Sequence, residues 1–285
     1  MSTFQANYGP EVQRVSADTP VEDIIGLLKR DGGVFIKGLI SEADLDHTFS
    51  ECRHQLESSE EWSGSFFPKE TQRAAGLMGL SPTYARTQVM NPLYQAVLDH
   101  FITSRTSYWW GDEWKESISK PYVHSCTAMR IGPGGKAQPL HRDDYISHNV
   151  HEDIDEWDDV RDSNRETAIG LFVAGCKVTK ENGGTQFIPR SHLWGTTRGP
   201  PRVEDCIFAD MDKGDAFLML ASAYHGGGNN TTIDQYRLVY ATFALDRPAQ
   251  AFMGYSMSEP ACGYVDQVDP IYLLHPELKS GPSDF

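Results

Sequence analysis

The tightest constraint on this chain comes from three metal-binding side chains that stand far apart in sequence. His141 and Asp143 lie in His141-Arg142-Asp143, and His225 lies in Tyr224-His225-Gly226-Gly227-Gly228-Asn229. Two imidazoles and one carboxylate can occupy one face of an octahedron and leave the opposite face open. This is the donor set of oxygen-activating non-heme Fe(II) sites. Alternate residues of a β-strand share a face, so the His-x-Asp spacing predicts an extended segment that aims 141 and 143 at one metal and turns Arg142 away. The second histidine then has to come from a distant strand that the fold brings alongside. Two rival runs have comparable spacing, His151-Glu152-Asp153 and His275-Pro276-Glu277. The first sits in a densely acidic stretch with no alternating apolar residues and is expected to be a solvated loop. The second lies near the C-terminus in a Pro-rich stretch, where chains are often loosely held.

The surroundings of His141 and His225 favour strands. Ala128-Met129-Arg130-Ile131 is strand-like and leads into the turn Gly132-Pro133-Gly134-Gly135 before His141. The runs 215–221 and 239–245 are apolar and partly β-branched or aromatic, and each predicts a strand. Between them, Gly226-Gly227-Gly228-Asn229-Asn230 permits positive φ and a tight reversal. His225 is thereby expected at the end of one strand and Arg237 at the start of an antiparallel neighbour. A guanidinium there can form a two-point ion pair with a carboxylate held beside a metal. Taken singly, Arg237 also fits a surface salt bridge and His225 a buried histidine bonded to backbone. Their occurrence together with His141 and Asp143 is what points to a site.

His141-Arg142-Asp143-Asp144, Glu181-Asn182-Gly183-Gly184-Thr185, Pro189-Arg190-Ser191-His192-Leu193-Trp194, His225 and Arg237 come in an ordered series. Together they resemble the phytanoyl-CoA dioxygenase-like branch of Fe(II)/2-oxoglutarate-dependent oxygenases, and within it the fungal enzymes that tailor meroterpenoids, indole alkaloids and polyketides. The resemblance runs from about residue 10 to about residue 250 and includes the opening Asp31-Gly32-Gly33-Val34-Phe35-Ile36-Lys37-Gly38. It implies a mainly β fold with flanking helices, built on a double-stranded β-helix (jelly-roll or cupin-like) core. It also implies one domain over residues 1–285, iron held by His141, Asp143 and His225, and 2-oxoglutarate and O₂ as co-substrates. Arg237 would bind the far carboxylate of 2-oxoglutarate, with Gln138, Thr185 and Arg73 carried over onto the same pocket. The implied reaction oxidises an unactivated C–H bond of a small hydrophobic polycyclic substrate by hydroxylation, desaturation, rearrangement or endoperoxide formation. A phytanoyl-CoA-like acyl substrate is the alternative within the family.

The chain departs from its relatives in an acidic insertion at about 145–166, which includes Glu152-Asp153-Ile154-Asp155-Glu156-Trp157-Asp158-Asp159. Long loops without a core pattern are often functional, so the insertion is expected either to form a lid that brings Trp157 or Ile154 to the substrate pocket, or to be a solvated excursion. Phe66, Phe67, Met129, Phe172 and Trp194 stand in segments expected to approach the metal. Two other classes use the same residues: a zinc hydrolase built on the His/Asp/His donors, and a β-sandwich that binds a terpenoid or lipid without catalysis. No His-Glu-x-x-His motif or Gly-x-Ser-x-Gly elbow occurs to support hydrolysis.

Composition narrows the partners. A net charge of −15 argues against a nucleic-acid surface, which needs clustered Lys and Arg, and makes a CoA thioester less natural. No apolar run is long enough to span a bilayer, and no leader pattern opens the chain. Five cysteines form no paired-thiol motif, as expected for reduced thiols in a cytoplasmic protein. Helices are predicted over 20–30, capped from Asp18-Thr19-Pro20, from Ser41 to about 57, and over 92–102. The Pro- and Gly-rich stretch 250–285 is expected to wrap the domain or the partner subunit of a homodimer.

Overall fold

A computed structural model describes residues 12–59 and 68–246. Its first elements are β1 (Arg14–Ser16), α1 (Val21–Asp31), β2 (Gly33–Lys37) and α2 (Glu42–Glu57). Then come β3 (Thr71–Ala75), the short helices α3 (Leu77–Leu80) and α4 (Pro82–Tyr84), and α5 (Pro92–Ile102). The remainder is strand and turn: β4 (Ser104–Trp110), β5 (Glu113–Ser119), β6 (Tyr122–Ile131), β7 (Ala168–Ala174), β8 (Gln186–Phe187), β9 (Ile207–Phe208), β10 (Ala216–Leu220), β11 (His225–Gly226) and β12 (Arg237–Leu245).

The three long helices stand where the sequence predicts them. Ser41 accepts from the Asp44 N–H at 3.1 Å and caps α2, and Asn91 does the same for α5 from Leu93. The cap of α1 differs from expectation, because Pro20 takes the cap position and no side chain satisfies the first turn. Its C-terminal end explains the Asp31-Gly32-Gly33 run. Gly32 adopts φ 78° and donates its N–H to Leu28 O, and a Cβ there would lie 2.5 Å from the His192 ring. A glycine is therefore required twice over, by conformation and by contact.

A seven-stranded sheet in the order β1-β2-β10-β7-β12-β6-β3 carries the fold. Period-two alternation gives each strand one face toward the helices and one toward the site. Leu218, Leu171, Tyr240 and Ala128 join Ile24, Leu28, Leu45, Val97 and Phe101 in the helix-side core. Phe217, Phe172, Val239 and Ala241 point the other way and pack with Phe187 of β8, Ala209 and Met211. The Phe187 and Phe217 rings meet edge to face at 4.9 Å, which ties the large sheet to the small sheet β11-β8-β9. Two sheets closing over one apolar layer make the jelly-roll core expected from the sequence.

Strand order corrects one expectation. The 215–221 and 239–245 runs are not neighbours, because β7 lies between them and pairs antiparallel with both β10 and β12. β10 and β12 therefore run parallel to each other. The sequence also gave no warning of the β4–β5 hairpin, whose strand β4 is exposed along its whole length.

The acidic insertion does not cover the metal donors. Trp157 packs against Phe101 of α5 at 5.5 Å and over His192, and Asp159 pairs with Lys29 of α1 at 2.7 Å. Ile154 is held through its backbone N–H to Leu193 O. The expected lid is thus a strap on the helix side of the molecule. Phe66, Phe67, His275 and the stretch 250–285 lie outside the described residues.

Candidate metal centre

The site forms where the small sheet meets the end of the chain's long excursion from β6. His141 and His225 pair as an antiparallel bridge, each backbone N–H donating to the other's carbonyl at 2.9 Å. Asp143 is not on a strand with His141, as the spacing had suggested. The ladder ends at His141, Arg142 stays extended, and Asp143 opens one turn of 3₁₀ helix over 143–147. The predicted divergence of Arg142 nevertheless holds. Its guanidinium is buried behind the site, donating to Ser191 O and Trp194 O and stacking on Tyr224.

The donor atoms converge. His141 Nε2 lies 3.5 Å from Asp143 Oδ1, and His225 Nε2 lies 3.2 Å from Asp143 Oδ2. Ligand atoms of all three residues fall within 4.8 Å of one another, the single such cluster of His, Cys, Asp and Glu among the described residues. Each imidazole places its other nitrogen on a backbone carbonyl, His141 Nδ1 on Pro139 O at 2.8 Å and His225 Nδ1 on Ala223 O at 3.1 Å. That assigns the proton to Nδ1 and turns the Nε2 lone pairs toward the common centre. Burial works against the Asp143 carboxylate, yet the facing His225 and His141 hold it well below the ordinary range. Burial likewise opposes a charged His141, but the bond to Asp143 raises its pKa overall. The cluster thus prefers positive charge at its centre. Asp143 Oδ2 is buried and makes no well-formed hydrogen bond, as suits an atom reserved for a cation. Two nitrogens, one carboxylate and an open side fit Fe(II).

A cleft open to solvent adjoins these donors. Arg237, Thr185 and Gln138 all line it, together with Phe172, Ala241 and Phe243. Arg237 is 3% exposed, and its Nε donates to Gly183 O at 3.0 Å. Burial brings its pKa down to about 10, and it forms no ion pair with any described carboxylate. The Gly183-Gly184-Thr185 run is shaped by close packing, because a Cβ on Gly184 would sit 2.6 Å from Ala209 O. Gln138 has a second task beside the cleft. Its Oε1 accepts from Gly227 N at 2.8 Å, and its own N–H donates to Gly227 O, pinning the turn after His225.

The structure separates the remaining expectations. Met129 and Phe172 line the cleft, whereas Trp194 and Arg73 are not among its lining residues. Arg73 shares a sheet face with Thr71 and stands opposite Met129 in the register, both of which line the cleft, although Arg73 itself does not. Thr71, Ser125 and Thr127 line the cleft and were missed. Period-two alternation through Ser125, Thr127, Met129 and Ile131 of β6 is the signal for the last two. A register shift at Phe243/Ala244 leaves His124 as the extra residue of a bulge. It is buried, and desolvation lowers its pKa to about 4, against the opposing pull of Asp143.

His151 contradicts its expectation as a solvated histidine. It is 5% exposed, and its Nε2 bonds to Asp144 Oδ2 beside the metal-binding Asp143. Glu166, at the far end of the insertion, bonds to the backbone N–H and hydroxyl of Ser222. Burial and the nearby charge of Asp144 push the Glu166 carboxyl up to about 8.

Comparison with known proteins agrees with this geometry. The sequence profile of the phytanoyl-CoA dioxygenase family, PhyH, matches residues 28–239. Dioxygenase swnH1 of Arthroderma benhamiae is 33% identical over 294 aligned positions, covering 93% of this chain and 92% of its own length. Dioxygenase peniF of Penicillium patulum is 32% identical, covering 92% of each. Among solved structures, the non-heme α-ketoglutarate-dependent epimerase SnoN from nogalamycin biosynthesis superposes with a TM-score of 0.58 at 20% identity, covering 85% of this chain and 90% of that one. HygX from Streptomyces hygroscopicus, solved with nickel and 2-oxoglutarate, gives 0.55 at 15% identity over 79% of this chain and 87% of its own. These last two likenesses are of fold.

Proposed function

This chain belongs to the phytanoyl-CoA dioxygenase family, and from that premise we propose how its cleft works as the active site of an Fe(II)/2-oxoglutarate-dependent dioxygenase. His141 and His225 would hold the iron through Nε2, and Asp143 through its carboxylate. Iron bound there would supply, with 2-oxoglutarate and O₂, the oxidising power needed to break an unactivated C–H bond.

Arg237 carries the reading. A buried guanidinium without an acidic partner among the described residues is costly unless an anion reaches it from outside. It lines the same cleft as the metal donors, so the far carboxylate of 2-oxoglutarate is the anion that fits. Thr185 and Gln138 form the wall between, and Gln138 also fixes the backbone at Gly227. A zinc hydrolase on the same donors would leave that cation unused.

Substrate class follows from the walls. Met129, Ile131, Phe172, Ala241 and Phe243 present apolar surface, broken by the hydroxyls of Ser125 and Thr127. Such a cleft suits a hydrophobic polycyclic metabolite, a meroterpenoid, alkaloid or polyketide, oriented by few polar contacts. SnoN, solved with nogalamycin RO, belongs to the same fold. An acyl-CoA is less suited, because among the described residues lining the cleft Arg237 is the only Arg or Lys. We read residues 1–285 as one domain working in the cytosol. Among the described residues, Cys52, Cys126, Cys176 and Cys206 form no disulfide, and no described helix is long and apolar enough to cross a membrane.

Anaerobic titration of metal-free protein with Fe(II), then 2-oxoglutarate, tests this. The visible charge-transfer band of the chelated 2-oxo acid is expected in wild type and absent in Asp143→Ala. Zinc binding without that band would favour the hydrolase.

A further inference from the structure

The acidic insertion reaches the metal donors from behind. None of residues 145–166 lines the cleft, yet both ends of this segment contact the turns that carry the metal-binding side chains. At its start, Asp144 is 2% exposed and follows Asp143 directly, and the backbone N–H groups of both residues point at Ala221 O, at 3.4 and 3.0 Å. His151 Nε2 donates to Asp144 Oδ2, and Asn149 Nδ2 approaches the same oxygen at 3.4 Å. His151 is itself fixed on both sides of its peptide. Its N–H donates to Thr196 Oγ1 at 2.8 Å, and Thr196 N donates back to His151 O at 2.9 Å. At the insertion's end, Glu166 grips Ser222, three residues before His225. Arg165 spans His192 O, Trp194 O and Glu152 O, which locks the insertion to the loop that also receives Arg142.

We propose that His151 is a positioning residue for the metal centre, holding the Asp144 carboxylate so that the adjoining Asp143 keeps its oxygens on the point shared with His141 and His225. A buried carboxylate that loses its only close imidazole donor must find another partner or turn toward solvent. Asn149 Nδ2, at 3.4 Å, is a weaker substitute, and any shift of Asp144 is passed to the 143–144 backbone, which hangs from the single carbonyl of Ala221. The insertion thereby serves metal affinity, and its strap of Trp157 and Asp159 against α1 and α5 anchors it at a distance. This inference rests on the metal-site reading above.

Cobalt(II) titration of the metal-free full-length chain, followed by visible absorption, tests it when paired with the melting temperature of each metal-free variant. Wild type should bind and Asp143→Ala should not. His151→Phe should bind up to about 10-fold more weakly, the lower end of what losing a partner bonded directly to a ligand costs, because His151 acts one residue removed through Asp144. His151→Gln, which keeps an N–H for Asp144, should recover most of that loss. Trp157→Ala should melt lower but bind cobalt as wild type does. Should His151→Phe fail to fold, Asp144→Asn reads the same point, with a smaller loss in the same direction. Wild-type affinity in His151→Phe overturns the proposal, and so does an equal loss in Trp157→Ala, which would make the insertion generic scaffolding. If wild type takes no cobalt, or Asp143→Ala binds as well, the metal-site reading falls first.

Discussion

His141 and His225 exchange both of their backbone hydrogen bonds, so the two imidazoles leave one rigid pair of peptides with ring centroids 4.7 Å apart. The side chains contribute nothing to that bridge. Fold and metal affinity are therefore separable at this point in the molecule.

His225→Ala should abolish iron binding and leave the metal-free protein folded, though with a lower melting temperature, because both main-chain bonds to His141 survive while Asp143 loses a facing imidazole. Calorimetric metal titration alongside thermal unfolding checks the pair of outcomes. A collapse of the metal-free fold would mean that the ring itself, through its contact with Phe172, holds the sheet edge.

Arg237→Ala should still bind iron but need far more 2-oxoglutarate. Loss of a charge-assisted ion pair costs about 2–3 kcal/mol, or roughly 30- to 150-fold in affinity. The dependence of succinate formation on 2-oxoglutarate concentration reads this directly. Unchanged affinity would remove Arg237 from the co-substrate site.

Gly184→Ala should destabilise the protein by about 1–3 kcal/mol, since the added methyl meets the Ala209 and Thr179 carbonyls, which are backbone and cannot rotate aside. Denaturant unfolding measures the loss. The same shift should move Thr185 and weaken 2-oxoglutarate binding.

Glu166 predicts a pH dependence. Its folded pKa of about 8 stands above the unfolded value near 4.3, so the folded state holds a proton that the unfolded state has released between those limits. The stabilising contribution is complete below about pH 4.3 and declines as pH rises through 8. Metal-free wild type should therefore lose melting temperature between about pH 5 and 8 and level off above that. Glu166→Gln, a fixed mimic of the protonated acid, should show a flatter profile, and equal slopes would show that another group titrates.

What the sequence disclosed follows the range of the forces involved. Ser41, the apolar spacing of α1 and the apolar run through Val239–Leu245 act locally, and the elements they predict are present. The intrusion of β7 between β10 and β12 is set by packing of the whole sheet, which no local pattern encodes. Arg237, Thr185 and Gln138 all reach the cleft because each is carried on a motif whose order survives in the fold. His151 was misread because its acidic neighbours look like solvated surface. Its burial depends on Asp144 and Thr196, contacts invisible until the chain is folded. Trp157 was misread for a similar reason, since nothing in an acidic loop says which side of the sheet it will strap.

The alternation of β6 and β12 has a consequence for how such an enzyme changes over time. Ser125, Thr127, Met129 and Phe243 face the cleft, while Cys126, Ala128, Tyr240 and Ala244 on the same strands are sealed against the helices. Substitutions in the first set reshape the surface that meets the molecule being oxidised, while substitutions in the second disturb the packed core. A single pair of strands thus keeps separate evolutionary accounts on its two sides, and new chemistry can be acquired one residue at a time without renegotiating the scaffold.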